Sequence, residues 1–197
     1  MKRESSRFTI DELNQVILNW ELISKEFNGK LKITKTTVDN RPLAYQAINS
    51  ENIDRIESVL YRLEIDIPFK GKFLRITTSE TKTPTFEYVI HNSDFSFTIS
   101  NEDYFERFLK LFGSNELQVG DFDFDKKYLL DTNNKSKLQS FLDIKIRDWL
   151  KEQSICFFDL NTPKSKNKLS LYFTINEFSL RKIRKQIEMF KYCIERI

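Results

Sequence analysis

Phe95-Ser96-Phe97-Thr98-Ile99 alternates bulky apolar and hydroxyl side chains without a break. Successive side chains of an extended chain point to opposite faces, so this run reads as a strand with one face on a core. Leu63-Glu64-Ile65-Asp66-Ile67 repeats the pattern with carboxylates in place of hydroxyls. A parallel strand buried on both sides is apolar throughout, whereas a half-buried antiparallel strand alternates. The chain is therefore expected to build a mainly antiparallel sheet.

Other runs extend that sheet. Leu31-Lys32-Ile33-Thr34 alternates and leads into a polar turn, Asp39-Asn40-Arg41-Pro42, with Leu43–Ile48 as the return strand. Phe73–Thr78, Phe86–His91 and Tyr128–Leu130 read as strands, and Ile155–Leu160 with Leu169–Ile175 as a hairpin around a lysine-rich loop. Pro68 disfavours helix in the residue before it, so a strand is placed from about Val59 to Ile67. Asn52–Ser58 fits either helix or strand.

Helical periodicity supplies the second layer. Thr9-Ile10-Asp11-Glu12 has capping-box spacing, and Leu13, Val16, Ile17, Trp20, Ile23 and Phe27 follow at three- and four-residue steps. Gly29 is placed at the left-handed position that ends this helix. A short helix is expected over Tyr104–Phe112, ended by Gly113. Asn133 or Asn134 starts a third, carrying Leu138, Phe141, Leu142, Ile146, Trp149 and Leu150 inward. Asn176 caps a fourth with the stripe Leu180, Ile183, Ile187, Phe190, Ile194 and Ile197. The expected class is α+β, a mainly antiparallel sheet with about four helices packed on it.

Eighteen Phe imply a core filled with large rings, while four Gly and four Pro leave the turns to Asn, Asp and Ser. No repeat or flexible linker divides the chain, so residues 1–197 read as one domain, with 1–8 as a flexible tail. No run approaches the roughly 20 apolar residues of a membrane span, and no apolar segment follows the N-terminal charges. Cys156 and Cys193 stand far apart and read as free thiols of a reducing compartment, which places the chain in the cytoplasm.

The segment Gly120-Asp121-Phe122-Asp123-Phe124-Asp125-Lys126-Lys127-Tyr128, followed by Asp131-Thr132-Asn133-Asn134 and a Leu-rich helix, resembles an uncharacterised bacterial domain family. Its members carry G-D-x-x-F-D-[RK]-x-[FY], then a short strand, a turn and a helix. Trp20 and the helix exit Phe27-Asn28-Gly29-Lys30-Leu31 extend the likeness more faintly. The family has no established activity, so the resemblance implies a fold and no reaction.

Two groups of residues are candidates for binding. On an extended chain Asp121, Asp123 and Asp125 would share one side and offer oxygen ligands to Ca²⁺ or Mg²⁺, as in a metal-dependent hydrolase or nuclease. Lys126 and Thr132 stand where an EF-hand needs Gly and Glu, so that pattern fails. The competing expectation is a structural turn, with Asp121 accepting backbone amides and Phe124 and Tyr128 anchored in the core. The second group is Arg181, Lys182, Arg184, Lys185 and Lys191 on the outer face of the last helix. From Lys164 to Ile197 nine basic residues face three Glu, a local +6 within a net +3. Such a face suits solvent, an anionic surface or nucleic acid, though the small net charge argues against a polyanionic partner.

Several chemistries are missing their parts. One histidine, His91, excludes a His pair on zinc, and no glycine-rich phosphate loop is present. No cofactor is implied. The leading expectation is a non-enzymatic interaction or accessory domain with a protein partner.

Overall fold

The computed structural model describes residues 10–39, 57–79, 82–90, 93–101, 117–152, 156–161, 167–173 and 179–197. Their elements, in chain order, are α1 (Ile10–Glu26), β1 (Lys30–Asp39), β2 (Glu57–Phe69), β3 (Lys72–Ser79), β4 (Lys82–Ile90) and β5 (Phe97–Asn101). These are followed by α2 (Phe122–Lys127), β6 (Tyr128–Thr132), α3 (Lys135–Phe141), α4 (Ile144–Lys151), β7 (Cys156–Asn161), β8 (Asn167–Phe173) and α5 (Leu180–Arg196). The expected return strand Leu43–Ile48, most of Asn52–Ser58, the Tyr104–Phe112 helix, His91 and the Asn176 cap lie outside the described residues.

The eight strands form one sheet in the order β1-β2-β3-β4-β8-β7-β5-β6, and every neighbouring pair is antiparallel. The fold is α+β with an antiparallel sheet, as the alternating runs required. Lys70 and Gly71 have φ of 46° and 73°, the two positive values that a tight β2–β3 hairpin turn demands. One transverse row, in register, reads Leu130, Ile99, Phe158, Leu171, Phe86, Ile76, Ile65, Leu31. An apolar residue stands on every strand of that row, so one face must be covered.

Helices cover it. Trp20 and Ile23 of α1, Leu138 and Phe141 of α3, Ile146, Trp149 and Leu150 of α4, and Ile183, Ile187 and Phe190 of α5 are all buried. Phe158 is the hub: its ring lies 5.3 Å from Phe97, 6.0 Å from Phe141, 6.2 Å from Trp149 and 6.3 Å from Phe190. Truncating such a ring to Ala costs about 3–5 kcal/mol.

Two sequence expectations change in detail. Asn28, with φ 52°, takes the left-handed position that ends α1, not Gly29. The amide of Gly29 donates to Ser24 at 2.7 Å and that of Asn28 to Lys25 at 3.2 Å, the paired bonds of a Schellman ending. Gly29 is small for another reason: a Cβ there would stand 3.1 Å from Ile65 Cγ2 and 3.2 Å from the Asp66 carbonyl. The third expected helix is broken into α3 and α4. Asp143 accepts from the Ile146 amide at 2.9 Å and starts α4, an acceptor that competes with continued helix.

Candidate functional site

The acidic run is helical, not extended. Asp121 caps α2, its carboxylate accepting from the Phe124 amide at 3.1 Å. It also lies 3.1 Å from Lys151 Nζ and 3.6 Å from Arg147. The Phe124 amide and then Lys151 hold its carboxyl below the usual carboxylate range. Asp125 points back, accepting from the Val119 and Gly120 amides at 2.9 and 3.0 Å. Gly120 makes that approach with φ 80°. Asp123 is exposed on the surface of the turn. A helix rotates by about 100° per residue, so the common edge that an extended run gives these three carboxylates is lost. Phe124 is fully buried with its ring 5.0 Å from Tyr128, whereas Phe122 is 80% exposed. Among the described residues no group of three or more His, Cys, Asp or Glu is placed to hold a metal ion.

The basic helix is partly committed to neighbours within the chain. Arg184 pairs with Glu26 at 2.7 Å, and Lys185 bonds Glu152. Lys191 is not on the outer face. Its ammonium lies 4.5 Å from the Phe27 ring centroid and 5.7 Å from that of Phe69, with Glu188 3.8 Å away. Arg181 and Lys182 are exposed. A cleft of about 390 Å³ opens between α5 and the β2–β3 turn, and its two lysines and two glutamates leave it without net charge.

The face of the sheet opposite the described helices is a larger feature. One register row crosses all eight strands: Lys30, Asp66, Arg75, Glu87, Ser170, Asp159, Thr98, Asp131. At about 4.8 Å per strand it spans ~34 Å. The Arg75 guanidinium donates to both oxygens of Asp66, at 2.7 and 3.0 Å, and Glu64 stands 3.7 Å away. The Asp66 bond holds the Arg75 pKa above its ordinary value. Asp159 on β7 and Ser100 on β5 are buried on this side of the sheet, 9% and 2% exposed. Phe73 and Phe157, two residues from the row on β3 and β7, are 56% and 41% exposed. Among described side chains on this face, β1–β3 carry Lys30, Lys32, Arg62 and Arg75 against Glu64 and Asp66, and the other strands carry Glu87, Asp159 and Asp131, with Lys168 at a β8 register position of the same face.

None of the row was singled out from sequence as a site. Alternation marks Glu64 and Asp66 as outward, but only strand order brings Asp131, Asp159 and Arg75 into one line. Comparison with known proteins adds no assignment to these residues: no protein family, no curated protein and no solved structure matches the chain.

Proposed function

We propose that this chain is a non-enzymatic accessory module of the cytoplasm that docks a protein around exposed Phe73 and Phe157, on the sheet face opposite the described helices. The observation that carries this reading is the register row of charged and hydroxyl-bearing residues flanked by exposed Phe73 and Phe157. Solvated charge alone needs no partner. Aromatic side chains exposed on a strand-built platform are the kind enriched in protein contacts, and charges around them set orientation. The acidic run commits Asp121 and Asp125 to backbone amides, and no helix among the described residues is long and apolar enough to cross a membrane.

The test is affinity capture from the source cells with three baits: the native chain, F73D/F157D, and R181E/R184E on the helix side. The reading expects one set of captured proteins to be lost with F73D/F157D and kept with R181E/R184E. Capture unchanged by F73D/F157D would overturn it.

A further inference from the structure

We propose that the cleft beside α5 binds a small zwitterion with an apolar body, of the class of a free amino acid or a short peptide. The site lies on the helix side of the sheet and is independent of the docking surface above. Its volume of about 390 Å³ falls within the ~300–1,000 Å³ of ligand sites, at the end that suits a small molecule. The apolar wall is Phe69 at the β2–β3 turn, with Met189 and the Tyr192 ring on α5. Four charges rim it: Glu188, Lys191 and Glu195 along α5, and Lys145 from the first turn of α4.

The two lysines hold unspent donors. Lys191 is only 19% exposed, and its ammonium lies 4.5 and 5.7 Å from the ring centroids of Phe27 and Phe69. Ring faces attract the charge, but an ammonium has three N–H donors that oxygen satisfies better. The Glu188 carboxylate is 3.8 Å away, beyond hydrogen-bond length. Among the described residues nothing else accepts from Lys191. Lys145 is in the same condition, its ammonium 4.1 Å from the Tyr192 centroid with no oxygen partner among the described residues. Lys72, at the same end of the sheet, is the contrast: it lies over the Tyr88 ring and also donates to the Val89 carbonyl at 2.9 Å.

The signs select the ligand. A bare anion drawn to Lys145 and Lys191 meets two carboxylates, and a bare cation meets two ammoniums. A molecule with both charges close together satisfies both. Glu188 already stands against the Lys191 ammonium, whereas Glu195 has no cationic partner among the described residues. Lys191 and Glu195 are four residues apart on α5, about 6 Å along the axis. The carboxylate and ammonium of an α-amino acid, one carbon apart, bridge that step with a hydrogen bond at each end. Its side chain then lies against Phe69 and the adaptable thioether of Met189.

Isothermal titration calorimetry of the full chain with L-leucine and with leucyl-leucine tests the proposal. Leucinamide, which lacks the carboxylate, and N-acetylleucine, which lacks the ammonium, are the controls. One of the two zwitterions should bind saturably with a Kd of about 1 mM or tighter, and the tighter one tells a free amino acid from a peptide as the source. Each blocked analogue should bind about tenfold more weakly. Lys191→Met keeps the stem across the rings and removes the ammonium, so it should weaken leucine about tenfold and erase its advantage over leucinamide. Glu195→Gln should erase the advantage over N-acetylleucine. Glu195 is exposed, so this variant folds whatever becomes of Lys191→Met. No saturable binding of either zwitterion below about 10 mM overturns the proposal. So do blocked analogues that bind as well as leucine, or a Glu195→Gln chain that discriminates as the native one does.

Discussion

Asp143 fastens α4 to α5 with one carboxylate, and its removal should be among the costliest single polar changes in the chain. Its Oδ1 accepts from the Ile146 amide at 2.9 Å, capping α4. Its Oδ2 accepts from the Tyr192 hydroxyl at 2.5 Å and lies 3.3 Å from Arg196 Nε, both on α5. The Lys145 ammonium stands 4.1 Å over the Tyr192 ring and helps hold it in place. Loss of an N-cap costs about 1 kcal/mol. A hydrogen bond to a charged group is worth about 1.5–3 kcal/mol. The Arg196 pair is solvent-screened and adds less than about 1 kcal/mol. Asp143→Ala should therefore lose about 2.5–4 kcal/mol, a fall of roughly 5–15 °C in Tm for a chain of this size.

Urea unfolding separates the parts. Asp143→Ser keeps the cap but cannot reach Tyr192, and Tyr192→Phe keeps the cap and removes the hydroxyl. Each should cost about 1–2.5 kcal/mol. In a double-mutant cycle, Asp143→Ala and Tyr192→Phe should couple by at least about 1 kcal/mol. The pH dependence has a defined sign. Burial pushes the Asp143 carboxyl up, but Tyr192, the Ile146 amide and Arg196 together hold it below its ordinary value. The unfolded chain, with a pKa of about 3.9, takes the proton more readily. The stabilisation is thus complete above that value and is lost as pH falls through the lower folded pKa. The acid limb of the native stability curve should flatten in Asp143→Ala. If Asp143→Ser is as stable as native and the coupling is zero, the carboxylate does not join α4 to α5 and the reasoning fails.

The remaining predictions concern the acidic turn, the helix exit and the core. Asp125→Ala leaves the Val119 and Gly120 amides without their acceptor and should cost about 1–3 kcal/mol, whereas Asp123→Ala should lie within about 0.5 kcal/mol of native by urea unfolding. Millimolar Mg²⁺, Mn²⁺ or Ca²⁺ should leave Tm unchanged, and a large rise that Asp123→Ala abolishes would restore the metal reading. Gly29→Ala drives a methyl to 3.1 Å from Ile65 and should cost about 1–3 kcal/mol by urea unfolding, although Gly29 itself has no positive φ. Gln186→Leu removes the acceptor 2.7 Å from the buried Trp149 indole N–H and should cost about 1–3 kcal/mol, with a change in tryptophan fluorescence.

Local pattern carried much of the fold and almost none of the candidate site, for a physical reason. Alternation in Leu63–Ile67 and Phe95–Ile99 assigns each residue to a face, because the side-chain period of a strand is two. It therefore predicts an apolar side and a polar side without any knowledge of neighbours. Where local chemistry offered two solutions, pattern alone did not choose between them, and at the acidic run the structural turn, with Phe124 and Tyr128 in the core, is the one that forms. Asp121, Asp123 and Asp125 alternate as a strand edge would, yet the Asp121 carboxylate reaches the Phe124 amide and the run closes into α2. The Asp143 carboxylate likewise interrupts a periodic stripe that reads as one helix. Asn28 and Gly29 exchange roles because the close approach of Ile65 acts through space and leaves no mark on α1 itself. The charged row of the sheet is a stronger case of the same limit. It joins Lys30 to Asp131 only through the strand order β1-β2-β3-β4-β8-β7-β5-β6, in which β8 inserts beside β4 and β5 lies next to β6. Face assignment puts Arg75 and Asp159 on the same side of the sheet; topology alone brings them into one transverse row. A surface of this kind is thus a property of the order of strands, which no local pattern along the chain records.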